Sequence, residues 1–133
     1  MAIADATGLP ISVSIHSAIP HESQLVEAAL EQRHTKYLPV RLIGDKAYDS
    51  DPLDARLAER YRVELIAPHK SNRKRKRTQD GRALRRYKRR WKVERLFAWL
   101  QHFRRVATRY EHKDTNFIGM VQLASIMIIL RHL

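Results

Sequence analysis

No cysteine occurs in the 133 residues, which removes disulfides and thiolate metal sites and fits a reducing cytoplasm. No secretory leader is expected, because MAIADATGLP has no basic start and no long apolar stretch. The longest apolar run, Phe117 to Leu130, is broken by Gln122 and is too short to span a bilayer comfortably, so no membrane partner is expected. No internal repeat, heptad array or domain linker is visible, and neither an HExxH pattern nor a Ser/His/Asp arrangement occurs. Acid is nearly absent from one region. Between Lys70 and Arg109 there are seventeen Lys/Arg, opposed only by Asp80 and Glu94.

What is present fits one globular domain with one core, at 44% hydrophobic residues. The net charge of +12 is unevenly spread, since residues 1–60 carry six Lys/Arg against nine Asp/Glu. A positive region of this kind is the footprint of a polyanion partner, with nucleic acid ahead of an anionic membrane surface. The residues expected on it are Lys70, Arg73, Lys74, Arg75, Lys76 and Arg77 in a basic loop at about 69–81, then Arg86, Lys88, Arg89 and Arg90 on the helix that follows. The bland reading is a solvated charged face.

The pattern predicts two short strands around the turn Thr7-Gly8-Leu9-Pro10, then a helix from HESQLVEAALEQRHTKY. VRLIG reads as a short buried strand that delivers Asp45 at its carboxyl end. Asp51-Pro52 reads as an N-cap with proline at the first helical position, opening PLDARLAERY. VELIAP is a further strand. This succession points to an α/β sheet with packed helices. One long helix is expected over about 82–111, with Leu96, Trp99, Leu100, Phe103, Val106, Ala107 and Tyr110 on its buried face. An apolar helix at about 116–132 closes the chain.

Two acids stand out. At 100° per residue Glu94 shares a helix column with Tyr87, Arg90, Ala98, Gln101 and Arg105. The bland reading is an Arg90–Glu94 surface pair, contributing a few tenths of a kcal/mol. Asp45 stands just past a strand, where ligands bind in α/β sheets, and its bland role is to shape the turn or cap the next helix. Together the two acids suit Mg²⁺ or Mn²⁺, which favour oxygen ligands and substrate phosphates. His16 and His21 read as solvated or structural; His69 does too, though it borders the basic loop and could touch phosphate.

At these residues the chain resembles the DDE-type transposases of bacterial insertion sequences. LIGDKAYDS is similar to the segment bearing that family's second aspartate, here Asp45 with Tyr48 three residues on. YKRRWKVERLFAWLQ is similar to its Tyr-x2-Arg-x3-Glu signature, through Tyr87, Arg90 and Glu94. The resemblance implies an RNase H-like mixed sheet with flanking helices over residues 1–133. It implies metal-dependent DNA cleavage and strand transfer, with Asp45 and Glu94 as catalytic metal ligands and Tyr48, Tyr87 and Arg90 in support. It implies DNA as partner, a homo-oligomer or the amino-terminal part of a transposase as protein partner, and a cytoplasmic, nucleoid-associated location.

Two departures accompany the resemblance. The lysine usual seven residues after the glutamate is Gln101 here. The family's first aspartate lies on a strand preceding the hairpin of residues 1–18, and Asp5 is the only early candidate. The expectation is therefore a carboxyl-terminal portion lacking its first strand and inactive alone, either a remnant or a second reading frame. A non-catalytic DNA-binding module and a basic RNA-associated structural protein are the rival readings.

Overall fold

The computed structural model of the chain describes residues 1–17, 19–74 and 81–133. A hairpin comes first: β1 (Ala2–Ala4) pairs antiparallel with β2 (Pro10–Val13). Its turn depends on Gly8, at φ +91, where Arg95 packs against the bare Cα. Asp5 closes the turn by accepting hydrogen bonds from Thr7 N (2.8 Å), Thr7 Oγ1 (2.7 Å) and Leu9 N (2.9 Å). Burial alone would raise this carboxyl, but those hydrogen bonds outweigh it and hold the pKa below the ordinary value.

Helix α1 (Glu22–Glu31) is capped by His21, whose ring accepts from Ser23 N, and it buries Val26, Ala29 and Leu30 at helical spacing. Strand β3 (Arg41–Ile43) follows, then a tight turn at Lys46–Tyr48 and α2 (Asp51–Arg56). Ser50, rather than Asp51, occupies the N-cap, which moves Pro52 to the second helical position. The helix widens over Leu57–Tyr61 and ends at Arg62 in the left-handed conformation (φ 55). Strand β4 (Glu64–Ile66) then pairs parallel with β3.

Helical backbone resumes with α3 (Gly81–Tyr87), tightens over Lys88–Arg90 and continues as α4 (Trp91–Gln101). The expected helix to residue 111 does not form. The chain leaves helical geometry at Phe103 (φ −87, ψ 111), and a short α5 (Arg104–Ala107) follows. That break resets the helical phase. Leu96 and Leu100 are buried as predicted and Trp99, Phe103 and Val106 are half-buried, but Ala107 and Tyr110 are exposed. The last helix is α6 (Asp114–Leu130). It is apolar all round, so burying Ala124 and Ile128 leaves Leu123, Ile126, Met127 and Leu130 exposed.

Sheet and helices enclose two cores. Val26, Leu30, Leu53, Leu57 and Val63 form the first, with Met1, Ile3, Leu42, Tyr48 and Leu65 packed against it. Leu96, Leu100, Ala124 and Ile128 form the second, joined by Ala2, Ala4, Leu9 and Trp99. Met1 and Ile3 thus face one core and Ala2 and Ala4 the other, the period-two alternation of a strand buried on both faces. The architecture is mixed α/β, as the pattern predicts. Among the described residues the strands form two separate two-stranded sheets, β1–β2 and β3–β4, instead of one.

Candidate active site and nucleic-acid face

The β3 ladder brings Asp45 to the site. Gly44 N donates to Ile66 O (3.0 Å), so β3 is held to β4 up to the residue before Asp45. Asp45 then opens the Lys46–Tyr48 turn, its Oδ1 accepting from Ala47 N at 2.8 Å. Among the described residues no other hydrogen bond reaches this carboxylate. Tyr48 folds back over Gly44, where an added Cβ would lie 2.7 Å from the ring Cδ2. Burial pushes the Tyr48 hydroxyl well above its usual pKa, aided by the charges of Glu22 and Asp45 and a hydrogen bond with Glu22.

Glu94 sits one turn into α4, more than half exposed, with Oε1 2.7 Å from Arg90 Nη2. The Arg90 guanidinium also lies over the Tyr87 ring, 5.6 Å from its centroid. The three residues of the Tyr-x2-Arg-x3-Glu pattern therefore form one chain of contacts: ring, guanidinium, carboxylate. A single cavity of about 900 Å³ is bordered by Asp5, Asp45 and Glu94, together with Tyr48, Arg89 and Arg90. The three acids do not converge. Among the described residues no three His, Cys, Asp or Glu side chains stand together as a metal-binding group.

The basic face divides by environment. Arg86, Lys88 and Arg89 are exposed, Arg90 is half-buried, and Lys74 is exposed. Arg73 differs. Its guanidinium is about 10% exposed and binds Asp49 (2.7 Å) and Asp51 (2.5 Å). Lys70 gives its backbone N–H to Asp49 Oδ2 at 2.8 Å. Arg75, Lys76 and Arg77 lie outside the described residues.

Asp49, which sequence reasoning passed over, organises this segment. Its carboxylate is 3% exposed and faces His69 Nδ1 (2.8 Å), Lys70 N and Arg73. Burial acts to raise its pKa, but the Lys70 and His69 hydrogen bonds and the Arg73 charge hold it below the ordinary value. Nearby Asp54 goes the other way: burial, then the charges of Asp51 and Asp49, push it up to about 6. The cluster fastens the start of the basic loop to α2, close in sequence to Asp45. An acid four residues past Asp45 and two before Asp51 is the signal that was available. A second pair of anchors, Lys92 to Ala6 O and Arg95 to Thr7 O, ties α4 to the hairpin turn.

A family model described as a transposase DDE domain matches residues 1–129. A curated protein of Brucella ovis, named as a transposase for insertion sequence element IS6501, is 33% identical over 134 residues, covering 98% of this chain and 95% of that protein. Another, from Burkholderia cepacia and named as a transposase for insertion sequence element IS402, is 31% identical over 134 residues; the match takes in 95% of this chain but 59% of that protein. No solved structure matches the chain. None of the helices among the described residues is long and apolar enough to cross a membrane.

Proposed function

Because the chain belongs to the transposase DDE domain family of insertion sequences, we propose that Asp45 and Glu94 are two carboxylate ligands of a divalent cation in its DNA-cleaving and strand-transferring site. The observation that carries this reading is their shared cavity, which Arg89 and Arg90 also border. Two carboxylates beside phosphate-binding cations suit Mg²⁺ or Mn²⁺, which retain waters and complete their shell with phosphate oxygens. Such an ion, when bound, makes a water or hydroxyl nucleophilic and neutralises charge on the leaving oxygen.

The chain's own residues prepare that site. Ala47 N fixes one oxygen of Asp45 and leaves the other directed by the turn. Arg90 fixes the Glu94 carboxylate and is itself steadied by the Tyr87 ring. Tyr48 packs on Gly44 and borders the cavity beside Asp45. Arg86, Lys88 and Arg89 hold DNA phosphates, so binding is sequence-tolerant and salt-sensitive. The order hairpin, helix, strand, helix, strand, long helix supports an RNase H-like reading of the fold. Asp5 is spent on its own turn and is not assigned as a ligand.

Mn²⁺ titration by calorimetry tests the assignment without relying on turnover. Weak binding that disappears in both Asp45→Asn and Glu94→Gln is expected. Binding that survives either substitution, or none in the unaltered chain, would reject the pair as a metal site and leave a basic DNA-binding face.

A further inference from the structure

The parallel strands β3 and β4 leave their sheet side by side, and a side chain joins their exits. Glu64 N donates to Val40 O and Gly44 N to Ile66 O, in register with the strand pairing. The next donor on β4 would be residue 68, and Pro68 has no N–H to give. Asp49 resumes the linkage beyond that point. Its Oδ2 accepts from Lys70 N (2.8 Å), and its Oδ1 faces His69 Nδ1 (2.8 Å) and Arg73 Nη1 (2.7 Å). Arg73 Nη2 reaches on to Asp51 at the start of α2 (2.5 Å).

Asp45 and Asp49 stand at opposite ends of one turn. Asp45 caps its start through Ala47 N, and Asp49 ends it by donating its own N–H to Lys46 O at 3.3 Å. The residues between them rise about 6 Å in all, too short a span to absorb a shift at one end without moving the other. Whatever holds Asp49 therefore holds Asp45. Among the described residues the Asp45 carboxylate has only the Ala47 bond, whereas Asp49 is gripped by His69, Lys70 N and Arg73. Burial of these charges brings little net stability, because lost hydration about offsets their attraction. What it fixes is geometry, since charge-assisted hydrogen bonds to several donors at once admit few arrangements.

We propose that Asp49 is a positioning residue for Asp45: with Arg73 it clamps the turn that carries Asp45 to the segment leaving β4. Arg73 then serves the clamp and is not a phosphate contact. Lys74, the exposed cation next in the chain, starts from a point fixed relative to Asp45, so a phosphate held there is in register with the acid. The use made of Asp45 rests on its reading as a metal ligand, while the clamp is a matter of backbone geometry and can be read without metal.

The test takes the full chain with Asp49→Ala, Arg73→Met and both together, and follows amide exchange, Mn²⁺ affinity and DNA affinity. Amides of Leu30 and Leu96, buried in the two cores, report global unfolding. Relative to them, Ala47 and Asp49 should exchange about tenfold faster in every variant. Mn²⁺ should bind about tenfold more weakly, the usual effect of losing a partner behind a ligand. Removing both charges should restore much of the global stability that either single change loses, yet leave Ala47 fast and Mn²⁺ weak. Asp49→Asn keeps an acceptor for Lys70 N and gives the same direction if Asp49→Ala does not fold. The salt slope of DNA binding should be unchanged in Arg73→Met. A slope flatter by about 1 is the loss of one phosphate contact and would overturn the proposal. So would exchange at Ala47 that follows the core amides, since the cluster would then be a stabilising contact only. If the unaltered chain binds no Mn²⁺, the metal assignment fails by itself and the Ala47 amide decides the clamp.

Discussion

Gly44→Ala probes the packing that presents Asp45. The new Cβ would meet Tyr48 first, at 2.7 Å from Cδ2, 3.0 Å from Cγ and 3.2 Å from Cβ. Carbon contacts are comfortable at about 3.5–4.0 Å, so the ring must retreat by roughly 1 Å. It has little freedom to do so, being packed against the first core. Overpacking of this kind costs about 1–3 kcal/mol. For a domain of this size about 2 kcal/mol lowers Tm by roughly 6–10 °C. Urea unfolding of Gly44→Ala, Tyr48→Ala and the double variant separates the clash from any backbone effect. In the Tyr48→Ala background the glycine substitution should cost under about 0.5 kcal/mol, a coupling well above the error of such cycles. An equal cost in both backgrounds would show that the ring is not what excludes a side chain at residue 44. Mn²⁺ affinity should fall in Gly44→Ala and recover in the double variant if Tyr48 displacement is what disturbs Asp45.

Other expectations are as specific. Asp54 has a folded pKa raised from 3.8 to about 6, so its favourable contribution is complete below pH 3.8 and lost as pH rises through about 6. Asp54→Asn should therefore gain on the unaltered chain between pH 4 and pH 8, by about 1 kcal/mol after allowing for its half-exposure, measured by urea unfolding at both pH values. Leu96, fully buried in the second core, should cost about 2–5 kcal/mol on truncation to alanine, read from the same unfolding curves. Arg86→Ala, Lys88→Ala and Arg89→Ala together should weaken binding to unrelated DNA duplexes alike, and should flatten the slope of log affinity against log salt by about 2–3. An unchanged slope would remove those residues from the phosphate contacts.

Much of the local structure was legible because it depends on short-range chemistry. The turn glycine, the strand after Pro39, the Asp-Pro helix start and the Leu96/Leu100 spacing all encode geometry within a few residues. Ala107 and Tyr110 were misplaced because a helical wheel assumes unbroken phase, and the break at Phe103 serves contacts with α6, far along the chain. Arg73 was indistinguishable from its basic neighbours by composition. Only the fold sets it beside Asp49 and Asp51, where desolvation and ion pairing make it a structural cation.

By itself the sequence determined the family, the mixed α/β class, the one-sided positive charge and the two acids worth testing, since all of these are written in residue type and spacing. Tertiary structure decided the rest: that Asp45 and Glu94 border one cavity, that Asp5 is consumed by its own turn, and that among the described residues the strands stop as two separate sheets. The reason is that backbone edges carry no side-chain signature. Whether a strand's outward N–H and C=O groups find partners depends on which segment lies alongside, and no local pattern records that.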